Sequence, residues 1–184
     1  MLILKKLAAV AISLAAVVFA PAGHAADGLV DSASVELGSN PAQRMLRVAA
    51  QKQWQQRWFA GNGRHLSGYW EADLALWRLN AYANMAGRDK TLAVVGFTPV
   101  LRYQNDSKLG LYGEAGVGVS LFSSLYKNRD KELSTAFQFA DHVGVGYTTA
   151  KWDFGLKLQH YSNASIKRPN GGANWVIAKA AYRF

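Results

Sequence analysis

The sequence predicts an all-β fold: eight amphipathic strands closed into one antiparallel barrel. Three observations carry that expectation. Eight segments of the 184-residue chain alternate apolar and polar residues, and a period of two gives a strand one greasy and one wet face. Clusters of Gly, Asn, Asp, Ser and Pro, or charged loops, separate these segments. No segment of helical period competes with them, and no shift of composition marks a domain linker.

Residues 1–25 read as a secretory signal, leaving 26–184 as one barrel domain. Lys5 and Lys6 form its charged start, Leu7 to Ala20 is an uncharged apolar run, and Gly23-His24-Ala25 ends in small residues. The apolar run is short for a transmembrane helix. Removing residues 1–25 takes away two lysines and no acid, so the net charge falls from +9 to +7. The chain has no cysteine, which argues against a small disulfide scaffold.

The first segment, Val30 to Leu37, alternates weakly and meets the turn cluster Gly38-Ser39-Asn40-Pro41. The second, Arg44 to Gln53, places Leu46, Val48 and Ala50 on one parity. A link over 55–64 contains Gly61-Asn62-Gly63. The third segment sets Leu66, Gly68, Trp70, Ala72, Leu74 and Leu76 against Ser67, Tyr69, Glu71 and Asp73. After a loop at 79–90, the fourth, Leu92 to Tyr103, has apolar residues on both faces and no clear parity. The fifth, Leu109 to Leu121, alternates with Gly110, Tyr112, Glu114, Gly116, Gly118 and Ser120. A charged loop at 123–134 precedes the sixth, Phe137 to Tyr147. The seventh runs from Trp152 through Leu158 to His160 and Ser162, and the eighth from Asn174 to Phe184.

An exported chain of eight such strands suits a soluble barrel with apolar residues inside, or a membrane barrel with them outside. The wet parity carries Gly, Glu, Asp, Gln, Lys and Tyr, which suits a polar lumen. The terminal Phe184, with apolar residues at alternate positions before it, resembles the insertion signal of bacterial outer-membrane barrels. The expectation is therefore an integral outer-membrane barrel. Both ends of such a barrel face the periplasm, with short inner turns and longer outer loops. The connections at 79–90, 122–134 and 163–173 are then external, and 104–108 and 148–151 internal. The link at 55–64 is long for an inner turn.

On this topology His160 and Ser162 lie near the external rim of the lipid-facing parity, with Phe139, Asp141 and Asn174 at the same rim. Polar residues on a lipid face are costly and mark functional sites. An imidazole two residues from a hydroxyl on one strand face is the minimum for a serine nucleophile and its base. The bland reading is a set of headgroup-level polar residues on a structural or adhesive barrel; a soluble lipid carrier is the other. His24 leaves with the signal, and His65, His142 and His160 show no zinc spacing. No phosphate-binding glycine loop precedes a helix, and no concentrated basic stripe suggests nucleic acid.

The run His160-Tyr161-Ser162-Asn163-Ala164, with Ile166-Lys167 and Pro169-Asn170 after it, resembles the PagL family of lipid A 3-O-deacylases. Gly68-Tyr69-Trp70, Glu114-Ala115-Gly116 and Phe137-Gln138-Phe139 fit the same family. The resemblance implies an eight-stranded outer-membrane barrel that hydrolyses the 3-position acyl ester of lipid A, freeing a 3-hydroxy fatty acid, without metal or cofactor. It implies Ser162 as nucleophile, His160 as general base and Asn170 as an oxyanion donor, with a backbone N–H near Ser165 as another. Asn163, Phe139, Asp141 and Pro169 match positions that shape the site, and Lys167 and Arg168 are placed to meet lipid A phosphates. One departure stands out: Asn174 occupies the position where the family pattern has Glu. An amide oxygen orients an imidazole but supplies no charge. Asn174 is the expected third member, with Asp141 as helper. The implied partners are lipopolysaccharide and outer-membrane lipids; oligomeric state stays open.

Overall fold

The computed structural model describes residues 28–184, so the signal segment lies outside the described residues. It contains β1 (Ser32–Asn40), β2 (Gln43–Gln53), β3 (Trp58–Gly61), β4 (Arg64–Leu79), β5 (Lys90–Asn105), β6 (Gly110–Phe122), β7 (Tyr126–Asn128), β8 (Lys131–Leu133), β9 (Phe137–Thr148), β10 (Trp152–Ser162) and β11 (Ala173–Arg183). Eight of these, β1, β2, β4, β5, β6, β9, β10 and β11, form an antiparallel ring. The β2–β4 ladder closes it and leaves no long open edge.

The eight ring strands match the eight alternating segments, and the parity is as expected. Leu101, Leu111, Val117, Val143, Val145, Leu156, Leu158 and Val176 are exposed on the outer wall. Trp152, Phe154, Tyr182 and Phe184 cluster as an aromatic group at the periplasmic end of β10 and β11, where amphipathic rings suit a membrane interface. The undecided parity of 92–103 resolves: Leu92, Val94, Thr98, Val100 and Arg102 are buried, while Val95, Phe97, Leu101 and Tyr103 are exposed.

The long inner link is a hairpin. β3 folds back on the start of β4, with Asn62 and Gly63 at positive φ of 52° and 72°. Gly63 carries such a conformation without steric cost, and an Asn-Gly turn is the commonest way to make a two-residue hairpin. The first external connection is shorter than the sequence suggests. Asn40 pairs with Gln43, so only Pro41 and Ala42 form the loop. The loop at 123–134 holds its own hairpin, β7–β8, which bridges to the loops before and after it through Tyr82–Asn128 and Leu133–Asn170.

The lumen is filled, and in two tiers. The periplasmic and middle tier is the polar interior expected from the wet parity. Lys157 Nζ donates to Glu36 Oε1 at 3.0 Å and Glu71 Oε1 at 3.2 Å, and Arg47 Nε donates to Glu36 Oε2 at 2.8 Å. Arg102 donates to Glu114 at 2.7 Å and Asp153 at 2.6 Å, and Tyr112 to Asp153 at 2.6 Å. Each of these buried charges has an opposite partner, which burial demands; the lumen-facing Asp73 carboxylate, whose Oδ1 is buried without a hydrogen-bond partner, is the exception. The outer tier departs from a polar lumen. Trp77 packs edge-on against Trp175, Tyr161, Phe122 and Tyr126, with centroids 4.7, 4.8, 4.9 and 6.1 Å away. Leu79, Leu92, Leu133 and Ile177 complete this core. Tyr161 and Trp175 are the inward neighbours of His160 and Asn174, so an aromatic core backs the wall that carries the expected site.

Candidate active site

The site lies where β9, β10 and β11 run side by side near the external loops. His160 is paired with Asp141 on β9 and with Asn174 on β11. Ser162 is paired with Phe139. All five point outward, because β10 alternates from Trp152 to Ser162 without a bulge. His160 and Asn174 are exposed, and Ser162 and Asp141 half-buried. Every residue expected at the rim is therefore brought to it.

His160 Nδ1 and Asn174 Oδ1 are 2.6 Å apart. With the amide oxygen facing the ring, the proton sits on Nδ1 and the lone pair on Nε2. The imidazole is thereby presented as a base on the side away from β11. Asp141 makes no hydrogen bond to it among the described residues; its Oδ1 is buried without a partner. Ser162 follows His160 by two residues on the same face, roughly 7 Å along the strand, and shares no hydrogen bond with it among the described residues. Such contacts often close only with substrate bound.

The β10–β11 loop is held from within. Asn163 is fully buried; its Nδ2 donates to Lys167 O at 2.8 Å and to Ser134 Oγ at 3.3 Å. Ser134 N in turn donates to Pro169 O at 3.1 Å. The Asn163 N–H donates to Asn170 Oδ1 at 3.0 Å. That bond occupies the amide oxygen and leaves the Asn170 Nδ2 hydrogens without a partner among the described residues, so Asn170 can act as a donor. Ala164 and Ser165 take positive φ of 50° and 61°. This is a left-handed conformation in which a glycine would be unstrained. Lys167, Arg168 and Pro169 are exposed on the loop.

Three contributors were not singled out from the sequence. Gly172 has φ +66°, and a Cβ on it would lie 2.8 Å from His160 Cε1. Its bare Cα is what lets the loop close against the ring. Asn40 Nδ2 donates to the Asn174 carbonyl at 2.8 Å, pinning the start of β11 to β1. Ser134 anchors the loop from the β8–β9 connection. Asn40 reads locally as a turn residue and Gly172 as one of a glycine pair; neither carries a sign of its distant partner. A groove of about 430 Å³ opens beside the dyad, lined by His160, Asn174, Leu158, Val176, Ser39 and Pro41. Among the described residues no group of three or more His, Asp or Glu is placed to hold a metal ion.

The sequence model of one family, described as lipid A 3-O-deacylase (PagL), matches residues 44–183. The chain belongs to the PagL family. It is 31% identical over 153 residues to the lipid A deacylase PagL of Pseudomonas aeruginosa, covering 81% of this chain and 84% of that one. It is 40% identical over 87 residues to the lipid A deacylase PagL of Bordetella bronchiseptica, a match spanning 47% of each. The crystal structure of the outer membrane enzyme PagL superposes with a TM-score of 0.71 at 25% identity, covering 83% of this chain and 99% of that one. The barrel is thus an outer-membrane PagL-family enzyme, and its apolar outer wall faces lipid. The matched range contains Phe139, Asp141, His160, Ser162, Asn170 and Asn174.

Proposed function

We propose that this barrel hydrolyses the 3-position acyl ester of lipid A in the outer leaflet by a serine–histidine mechanism. The observation that carries the reading is the His160–Asn174 hydrogen bond of 2.6 Å on the lipid-facing wall. It orients a base toward the face that Ser162 shares. Ester hydrolysis at a lipid-facing rim suits a substrate whose acyl chains lie along the wall and whose sugars lie at headgroup level. The names of the family and of the related proteins supply the same substrate class.

Ser162 Oγ attacks the ester carbonyl while His160 Nε2 takes its proton. Asn170 Nδ2, and a backbone N–H near Ser165, meet the oxyanion. Collapse breaks the bond to the sugar oxygen, which leaves as a hydroxyl with the proton from His160. Water, deprotonated by the same nitrogen, then cleaves the acyl-serine and frees a 3-hydroxy fatty acid. Asn174 holds the ring through its Nδ1–H. Asp141, directly across from His160, supplies the negative charge that an amide lacks. Lys167 and Arg168 are candidate phosphate contacts on the loop. Mass spectrometry of lipid A from cells with and without the protein tests the function. Loss of one 3-hydroxyacyl group only in cells with the protein is the expected result; identical lipid A in both overturns it.

A further inference from the structure

We propose that Arg44 and Arg78 form a second recognition site, one that binds a phosphate of the same glycolipid on the β2–β4 side of the groove. The proposal rests on the deacylase reading for its substrate and adds where that substrate is held.

Arg44 and Arg78 are direct partners in the β2–β4 ladder. Both are exposed and lie on the outward parity, with Leu46 and Leu76 next along the same face. Like charges directly opposed across two strands repel. Little around them offsets this. Asp89 pairs with Arg78 at 2.6 Å, at a site where the Arg78 side chain is 70% exposed. Arg44 has no ion pair or hydrogen bond among the described residues. Its ladder neighbours are Ser39 and Arg78, both without negative charge. The nearby Lys90 is engaged by the Tyr82 hydroxyl at 2.9 Å and lies over the Tyr82 ring. An anion between the two guanidinium groups turns the repulsion into two attractions, and planar forks suit phosphate oxygens.

The position relative to the catalytic dyad is what ties this pair to the substrate. Strands β10, β11, β1 and β2 are consecutive neighbours. Arg44 therefore stands three strand spacings across the wall from the strand of His160, roughly 14 Å measured laterally. Ser39 pairs with both Val176 and Arg44, so Arg44 lies one outward step below the level of Asn174. The groove beside His160 is lined by Val176 and Ser39 and so ends where the arginine begins. A bulky phosphorylated sugar with its ester at Ser162 can lie across this groove and bring an anionic end to Arg44. Two exposed arginines beside the external ends of β2 and β4 fit that end and no part of an acyl chain.

The test compares bisphosphorylated lipid A with the same lipid A stripped of phosphate, in neutral detergent micelles where the substrate carries the only phosphate. Affinity is measured with the Ser162→Ala barrel, which needs no turnover, and KM and kcat with the active one. The unsubstituted arginines should favour the phosphorylated lipid by roughly tenfold or more, as for one or two charge-assisted hydrogen bonds. The Arg44→Gln/Arg78→Gln variant should lower that ratio several-fold, with the change in KM rather than kcat and the remainder carried by Lys167 and Arg168, and Arg44→Lys should restore part of it. Heat-modifiable mobility shows that the variants are folded. A ratio unchanged in the double variant overturns the proposal. So does a ratio abolished by Lys167→Gln/Arg168→Gln and untouched by the arginine pair. An active-form barrel that leaves every lipid A intact overturns the deacylase reading instead, and the binding ratio still decides the site.

Discussion

The His160 imidazole and the Asn174 amide face each other across β10 and β11, Nδ1 to Oδ1 at 2.6 Å, on the outer wall of the barrel. A neutral acceptor therefore occupies the place where this family's pattern has an acid. Losing the partner that fixes a catalytic histidine costs up to about 10⁴ in turnover in a charged triad. Asn174→Ala should lower kcat on lipid A by one to several orders of magnitude, and Asn174→Glu should keep or raise it. Asp141→Asn separates the two candidates. A silent Asn174→Ala beside an inactive, folded Asp141→Asn would transfer the orienting role to Asp141.

Ser162 and His160 should act as one unit. Ser162→Ala and His160→Asn should each remove nearly all deacylation, and the double variant should be little worse than either, because residues of one catalytic unit are not additive. Outer-membrane fractionation and heat-modifiable migration show that the barrel has assembled. Retained activity in a folded Ser162→Ala barrel would send the search to Ser165.

The loop makes a conformational prediction in two opposite directions. At Gly172 a Cβ meets His160 Cε1 at 2.8 Å with φ at +66°. Gly172→Ala should push the ring off its position, and a misplacement of about 1 Å can cost on the order of 10²-fold in rate. Ser165 already sits at φ +61°, a conformation costing an L-residue about 1 kcal/mol. Ser165→Gly removes that strain and should retain or raise activity, whereas Ser165→Val should lower it. Kinetics of the three variants on one lipid A preparation decide this; full activity in Gly172→Ala means the glycine does not set the ring.

Within the lumen, Glu36 holds Arg47 and Lys157 together and is completely buried. Glu36→Gln leaves two buried cations with too little negative charge. Breaking a buried pair costs about 3–5 kcal/mol. The expected result is a clear fall in the thermal or denaturant midpoint of the purified barrel, with deacylation retained below that midpoint. An unchanged midpoint would mean that the lumen rearranges or hydrates at no cost.

The sequence by itself determined the number of ring strands and the side of the wall on which each residue stands. Alternation is a local property, and the period of two within β10 commits His160 and Ser162, and that within β11 commits Asn174, to the lipid-facing parity. The departure at Asn174 is likewise legible without coordinates, as what the resemblance to the family implies. What the tertiary structure decided is everything that depends on register and on ring closure. That His160 stands level with both Asp141 and Asn174, that its ring bonds to the amide, and that Gly172 closes over it are relations between strands, fixed only when all the ladders pair. The same holds for Arg44 opposite Arg78, joined by the ladder that closes the barrel. Parity could not show the aromatic outer tier either. It tells which residues face inward but not at what height they meet, and Trp77, Phe122, Tyr161 and Trp175 come from four different strands. A period is carried by neighbouring residues, whereas a layer or a register needs the long-range pairings of the whole ring.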